Sequence, residues 1–386
     1  MTMNSDFHLN RALLRLIAVQ VCIHACMAGI RMAAPLLSLR QGHSPAAVGV
    51  LLSLFALTQL FVSLPAGRYA DRSGLQRPVA LSVAATVLGA GMAAIWPNFA
   101  VLCIAALFCG GATGSAVIAL QRHVGRMASD RTQLKQIFSW LAIAPSFANF
   151  LGPFLAGLLI DHTSFRFTFA VMAALPILSW VWVRGVRDLP SPTREEAEKP
   201  RAWDLLAAPQ MRRLLLINWL LASCWDVHTF VLPVLGHERG FSASVIGTIL
   251  GVFAVAATGI RLLLPVFATR LQERVVISTA MAATAVLFAI YPLLLSPLAM
   301  GLCSILLGFA LGSVQPMILS ALHQITPAHR QGEALGLRMM SINASSVVMP
   351  MLFGSVGAVV GVASVFWAVG AAVASGIRAA WGLKTP

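Results

Sequence analysis

The chain has 386 residues, of which 58% are hydrophobic and 10% charged, with a mean hydropathy of +0.83 and a formal net charge of +14. A soluble domain carries about 25% charged residues, because its surface must face water. So little polar surface excludes a soluble globular protein, and the apolar side chains must face lipid. The six cysteines, Cys22, Cys26, Cys103, Cys109, Cys224 and Cys303, all lie inside apolar runs with no CxxC spacing. They read as small hydrophobes, neither a disulfide framework nor a metal site.

At the N-terminus Arg11 and Arg15 precede an apolar stretch from Leu16 to Leu39. It exceeds the roughly 7–15 residues of a signal-peptide core, and no A-x-A site ends it. It reads as the first of twelve membrane-spanning helices, each near the roughly 20 residues that cross the hydrocarbon core. The first six fall near 14–39, 46–67, 79–96, 98–121, 136–160 and 165–183. The second six fall near 214–235, 244–268, 275–295, 296–322, 332–355 and 356–381. The runs are continuous rather than alternating, which excludes a β-barrel. The expected fold is therefore an all-α membrane protein of two pseudo-symmetric six-helix bundles. Residues 1–186 form the first bundle, 187–211 a polar linker and 212–386 the second.

Lys and Arg set the orientation. With the N-terminus in the cytoplasm, 22 of the 27 basic residues fall on the cytoplasmic side and only Arg40, Arg166 and Arg239 outside. Arg31 and Arg261 lie within spans. The asymmetry accounts for the net charge without nucleic acid, and it places both termini in the cytoplasm of a bacterial inner membrane.

A shift of 198 residues lays the chain on itself. Cys26 meets Cys224, Pro35 meets Pro233, Ser44 meets Ser242, Gly49 meets Gly247, Phe55 meets Phe253 and Arg72 meets Arg270. Gly110 and Gly114 meet Gly308 and Gly312, and with one residue of slippage Pro153 and Gly157 meet Pro350 and Gly354. Six spans separate the copies, so both halves share one orientation, and a substrate site is expected between such repeats near the midplane.

The loop after span two, from Gly67 to Arg77, reads G-R-Y-A-D-R-S-G-L-Q-R. It resembles the G-x-x-x-D-R-x-G-x-x-R signature of the major facilitator superfamily. The resemblance implies that Gly67, Asp71, Arg72, Gly74 and Arg77 form a conformational motif, whose charge relay with neighbouring helix ends holds the outward-facing state. In the second copy Pro265 replaces the glycine and Thr269 the aspartate, while Arg270 is retained. Span five carries Asn149, Gly152, Pro153 and Gly157, similar to the antiporter motif of proton-coupled exporters, with Ala156 at one glycine position. The span-four arginine of many drug exporters has no counterpart here.

A charge at the bilayer centre costs about 2.5–3.5 kcal/mol on insertion scales, so each needs a partner or a wet cavity. Arg31 in span one and Asp226 in span seven come to similar depth under the repeat. Two readings stay open: a buried structural pair, or Arg31 binding an anionic group while Asp226 carries the coupling proton. His24, two turns before Arg31, either lines the cavity or packs near the cytoplasmic end. Thr229 shares the face of Asp226, whereas His228 points elsewhere. Arg261 in span eight is too deep to reach the interface fully. Gln315, Asn343 and Gln59 are further polar candidates in spans ten, eleven and two, with interhelical bonding as the alternative role. Glu333 and Arg338 at the start of span eleven suggest a gate pair, or a solvated helix end.

No nucleotide-binding motif is present, and neither HExxH nor GxSxG occurs. The expected function is transport rather than catalysis: a proton-coupled efflux antiporter of a small organic molecule working by alternating access. An importer of an organic anion such as a carboxylate is the alternative, and a non-transporting membrane protein ranks below both. The expected partners are a small-molecule substrate and the lipid bilayer, with no nucleic acid. The proton is the only coupling ion expected, no cofactor or metal is implied, and a monomer is the expected state.

Overall fold

The structure is a computed structural model that describes residues 2–43, 45–189, 202–232, 235–236, 239–241, 243–267 and 271–383. Residues 190–201 of the linker, Thr269 and Arg270, and the Pro233 and Ser242 matches lie outside the described residues, as do the surroundings of Gly247, Pro350 and Gly354.

All regular structure among the described residues is helical. The first half holds α1 (Thr2–Arg40), α2 (Pro45–Ser73), α3 (Gln76–Ile95), α4 (Phe99–Met127), α5 (Arg131–Leu141), α6 (Ile143–His162) and α7 (Phe165–Val183). The second holds α8 (Pro209–Asp226), α9 (Ala243–Phe267), α10 (Glu273–Ile290), α11 (Pro297–Ile325), α12 (Gln331–Val360) and α13 (Val362–Trp381). Among the described residues, ten helical segments are long and apolar enough to cross a membrane. The two remaining expected spans correspond to α8 with the π-helical turn Val227–Val231 that continues it, and to α12.

Three expected boundaries move. The signature segment is not a loop: α2 continues through Asp71 to Ser73, because nothing before Gly74 breaks it. Gly74 turns the chain with φ +76°, and the Asp188 carboxylate accepts from the Leu75 amide at 2.7 Å. Span five is bent at Ala142 into α5 and α6. The break between the last two spans falls at Gly361, where φ is +90°, several residues later than expected.

The repeat reappears in the helix limits. Adding 198 to the bounds of α4 gives those of α11, and the first residue of α2 maps onto the first residue of α9. The packing repeats as well. A Cβ on Gly110 would lie 2.2 Å from the Phe55 carbonyl oxygen, and one on Gly308 would lie 2.5 Å from that of Phe253. Glycine at both sites lets backbone meet backbone, the small-residue packing that membrane helices use without a hydrophobic driving force.

The chain forms two compact units. Unit 1 comprises Met1–Ser129, Leu141–Lys199 and Pro327–Asn343, and unit 2 comprises Asp130–Trp140, Pro200–Thr326 and Ala344–Pro386. Each unit thus takes one short segment from the other half of the sequence. These two segments, α5 and the start of α12, are themselves repeat-related. In unit 1 the core is built of small and medium residues, among them Cys26, Ile30, Ala34, Phe55, Ala105, Cys109 and Phe169.

Candidate functional site

Each unit carries polar groups within its spans. In unit 2, α8 ends at Asp226, which is 8% exposed. Its Oδ2 accepts from the Ser345 hydroxyl at 3.3 Å, and Ser345 in turn lies 3.1 Å from the Ser223 hydroxyl. The helix changes to π geometry at the next residue, a local widening that recurs at functional sites. Thr229 within that turn bonds back to the Trp225 and Asp226 carbonyls at 3.0 and 3.2 Å. His228 turns into the interior of unit 2. Its Nε2 is 3.0 Å from the Ser304 hydroxyl, which Tyr291 also reaches at 2.7 Å. The imidazole stacks on Phe253 with ring centroids 4.1 Å apart.

Arg261 on α9 is buried in unit 2. Its Nε donates to the Gly312 carbonyl at 3.3 Å, and its guanidinium lies over the Trp225 ring, 5.7 Å from the centroid. The π face of the indole partly replaces water around the cation. Gln315, about one turn along α11 from Gly312, is half-buried.

In unit 1, Arg31 on α1 is exposed and His24 is half-buried. His24 lies near Asn149 on α6. Close by, a Cβ on Gly152 would lie 2.3 Å from the Ala25 carbonyl oxygen, so the glycine of this motif seats α6 on α1. Pro153 lies within α6, and Gly157 faces Met32 at an ordinary contact distance. Gln59 on α2 packs against Gly114 on α4. Asn343 bonds to the Met339 carbonyl of its own helix at 2.8 Å.

A second site lies where the basic residues gather. In unit 1 the Asp71 carboxylate is met from two directions. Arg122 on α4 donates to it through Nε at 2.7 Å and reaches the Asp71 carbonyl at 3.2 Å. The backbone amides of Gly332 and Glu333, at the start of α12, donate at 2.8 and 3.0 Å. Asp71 therefore caps the positive end of a helix from the other half of the sequence. Glu333 is held by Arg68 at 3.1 Å and by Arg330 at 2.9 Å. Gly67 makes the approach possible, since a Cβ there would lie 2.0 Å from the Gly332 carbonyl oxygen. Arg338, five residues beyond Glu333, is buried, with Nη1 3.8 Å from the Met339 sulfur.

Unit 2 has its own buried carboxylate, Glu273, in the first turn of α10. Lys135 on α5 approaches it at 3.5 Å and also donates to the Leu271 carbonyl. Ser320 and Gln324 on α11 donate to the same Glu273 oxygen at 2.9 and 2.8 Å.

The family model of the Major Facilitator Superfamily matches residues 16–303 and, a second time, 214–386. The chain belongs to the Major Facilitator Superfamily. Three solved structures share its fold. The human organic anion transporter MFSD10 (TETRAN) superposes with a TM-score of 0.82 at 18% identity, covering 96% of this chain and 99% of that one. A bacterial homologue of the iron transporter ferroportin, in an outward-facing state, gives 0.79 at 15% identity, covering 97% and 100%. The transporter FucP, in the outward conformation, gives 0.79 at 14% identity, covering 96% and 99%. No curated protein sequence matches the chain.

This superfamily member is a multi-pass secondary transporter of a small molecule, not an enzyme. The contacts of the signature segment are not made by its signature arginines. The guanidinium on Asp71 is that of Arg122, and Arg68 rather than Arg72 or Arg77 reaches Glu333. Arg72 and Arg77 are exposed. Arg122, Lys135, Glu273, Ser320 and Ser345 escaped the sequence reading as site residues. One signal bore on three of them: the offset that aligns the halves places Lys135 on Glu333 and Arg122 on Ser320.

Proposed function

We propose that this chain is a proton-coupled antiporter that exports a small organic molecule by alternating access. In this reading it sits as a monomer in a bacterial inner membrane with both termini cytoplasmic, the side favoured by the basic residues. The observation that carries the coupling is Asp226, a buried carboxylate at mid-span whose Oδ2 is served by the Ser345 hydroxyl. A hydroxyl suits both charge states, donating to the carboxylate and accepting from the carboxylic acid. Intramembrane carboxylates are costly and mark proton pathways. Gly152 and Pro153 of α6 support export through their likeness to the antiporter motif.

Import of an organic anion is the second reading. Arg31, exposed within α1, and Arg261, laid on Trp225, are the cations that would recognise it. In proteoliposomes an imposed pH gradient should drive substrate movement, opposite in direction to the proton for an antiporter and parallel to it for a symporter. Asp226→Asn should abolish proton-driven movement while leaving substrate exchange at equal pH intact. Undiminished proton-driven transport by that variant removes Asp226 from the coupling role.

A further inference from the structure

Each unit carries a groove, and the two are lined in part by repeat-related residues. The groove in unit 1 lies on α2, α3 and α4, encloses about 330 Å³, and is lined by Thr58, Tyr69, Leu81, Ser82, Phe108 and Ser115 among others. The groove in unit 2 is lined by Thr279, Ala280, Leu306 and Ser313 among others, which are repeat counterparts of Leu81, Ser82, Phe108 and Ser115. Where the first has Thr58, Tyr69 and Ser82, the second half of the sequence has Ala256, Phe267 and Ala280. The first groove carries the hydroxyls of Thr58, Tyr69, Ser82 and Ser115, the second those of Thr279 and Ser313.

One of those groups is unsatisfied. Ser82 is 2% exposed and its hydroxyl has no hydrogen-bond partner. A helical serine or threonine can bond to the carbonyl four residues back, as Thr86 does to Ser82 at 2.8 Å. A hydroxyl left without a partner in an apolar setting is destabilising unless a ligand or water completes it.

Tyr69 and Pro78 line one end of the groove; Arg77 precedes Pro78 and Arg72 lies three residues beyond Tyr69 in the sequence, both exposed and with no ion pair among the described residues. Their signature-motif position is thus not used on Asp71. Val275 replaces Arg77 in the second copy. From Arg77 to Ser82 is about 7 Å of helix rise along α3, and from Tyr69 to Thr58 about 16 Å along α2. Arginines close in sequence to one end, a hydrogen-bond donor about one and a half turns in, and an apolar slot beyond match a lipid in order: phosphate, ester, chain.

We propose that the unit 1 groove is a binding site for an anionic phospholipid. Arg72 and Arg77 hold the headgroup phosphate, the Ser82 hydroxyl donates to an ester carbonyl, and one acyl chain fills the slot between Thr58 and Phe108. The site belongs to the lipid-facing surface and is independent of the coupling role of Asp226.

The test uses the full-length transporter in nanodiscs of phosphatidylcholine containing a trace of phosphatidylglycerol with a photoactivatable group midway along one chain. Cross-links mapped by peptide mass spectrometry should concentrate on 81–85 and 107–112 and be sparse on the unit 2 groove. Each basic residue near a membrane surface contributes about 1 kcal/mol toward anionic lipid, so Arg72→Gln with Arg77→Gln should cut labelling of unit 1 about thirtyfold. Ser82→Ala should cut it severalfold, and a phosphatidylcholine probe of the same chain should label weakly. Labelling of the unit 2 groove reports folding, because it should be unchanged in every variant. Equal labelling of both grooves, or unit 1 labelling unmoved by the arginine changes while unit 2 labelling persists, overturns the proposal.

Discussion

The buried carboxylate clusters of the two units are built at repeat-related places but with their charges redistributed. In unit 1, the cation comes from the unit's own half, Arg122 on α4, while the borrowed segment contributes two backbone amides and the Glu333 side chain. In unit 2 the position of Arg122 is Ser320, a neutral donor, and the position of Glu333 is Lys135, so the cation arrives with the borrowed segment. The carboxylate moves as well, from the end of α2 to the start of α10. An arginine fork fixed on both an oxygen of the Asp71 carboxylate and its carbonyl is directional and always charged. A lysine is a compact point charge that tolerates repositioning. Two repeat-related segments thus reach the same result, a neutralised carboxylate against a foreign helix, with the charge supplied from opposite sides.

This contrast predicts unequal consequences. Asp71→Asn leaves Arg122, 1% exposed, as a buried cation without its anion. Breaking such a pair costs about 3–5 kcal/mol, so unfolding of the purified protein followed by heat or denaturant should show the largest loss here. Unaltered stability of the Asp71→Asn variant would mean that the Arg122 contact contributes nothing.

Next in size is Gly332→Ala. The added methyl would lie 2.3 Å from the Gly67 carbonyl oxygen and 2.9 Å from the Asp71 carboxyl carbon. Overpacking of this kind costs about 1–3 kcal/mol, and it should impair transport in addition, because it pushes the α12 amides away from Asp71. Glu273→Gln should be the mildest, about 1–2 kcal/mol. The amide retains an acceptor for Ser320 and Gln324, and Lys135 keeps the Leu271 carbonyl. A larger loss from Glu273→Gln than from Asp71→Asn in the same unfolding assay would reverse the comparison.

Much of the fold was legible in the residues themselves. Hydropathy located the spans because lipid tolerates only internally bonded helices of fixed minimum length. The 198-residue offset carried over to the helix limits and to the Phe55–Gly110 and Phe253–Gly308 contacts, because helix packing in lipid depends on where the small residues stand. Local geometry was less legible. The continuation of α2 to Ser73 and the bend at Ala142 depend on backbone conformations that a hydropathy profile does not record. Of the residues in the two carboxylate clusters, the motif includes Asp71 and Gly67 but neither Arg122 nor Glu273, since each of these is an ordinary charge at a helix end until its partner is known.

The sequence by itself determined that this chain is a two-part helical membrane protein, because apolar length and a repeat are properties of the linear order. Tertiary structure alone decided which groups neutralise which. Asp71 and Gly332 are separated by 261 residues, and Arg68 and Glu333 by 265. Ion pairing falls off over a few ångströms, and only the fold brings such residues within that reach.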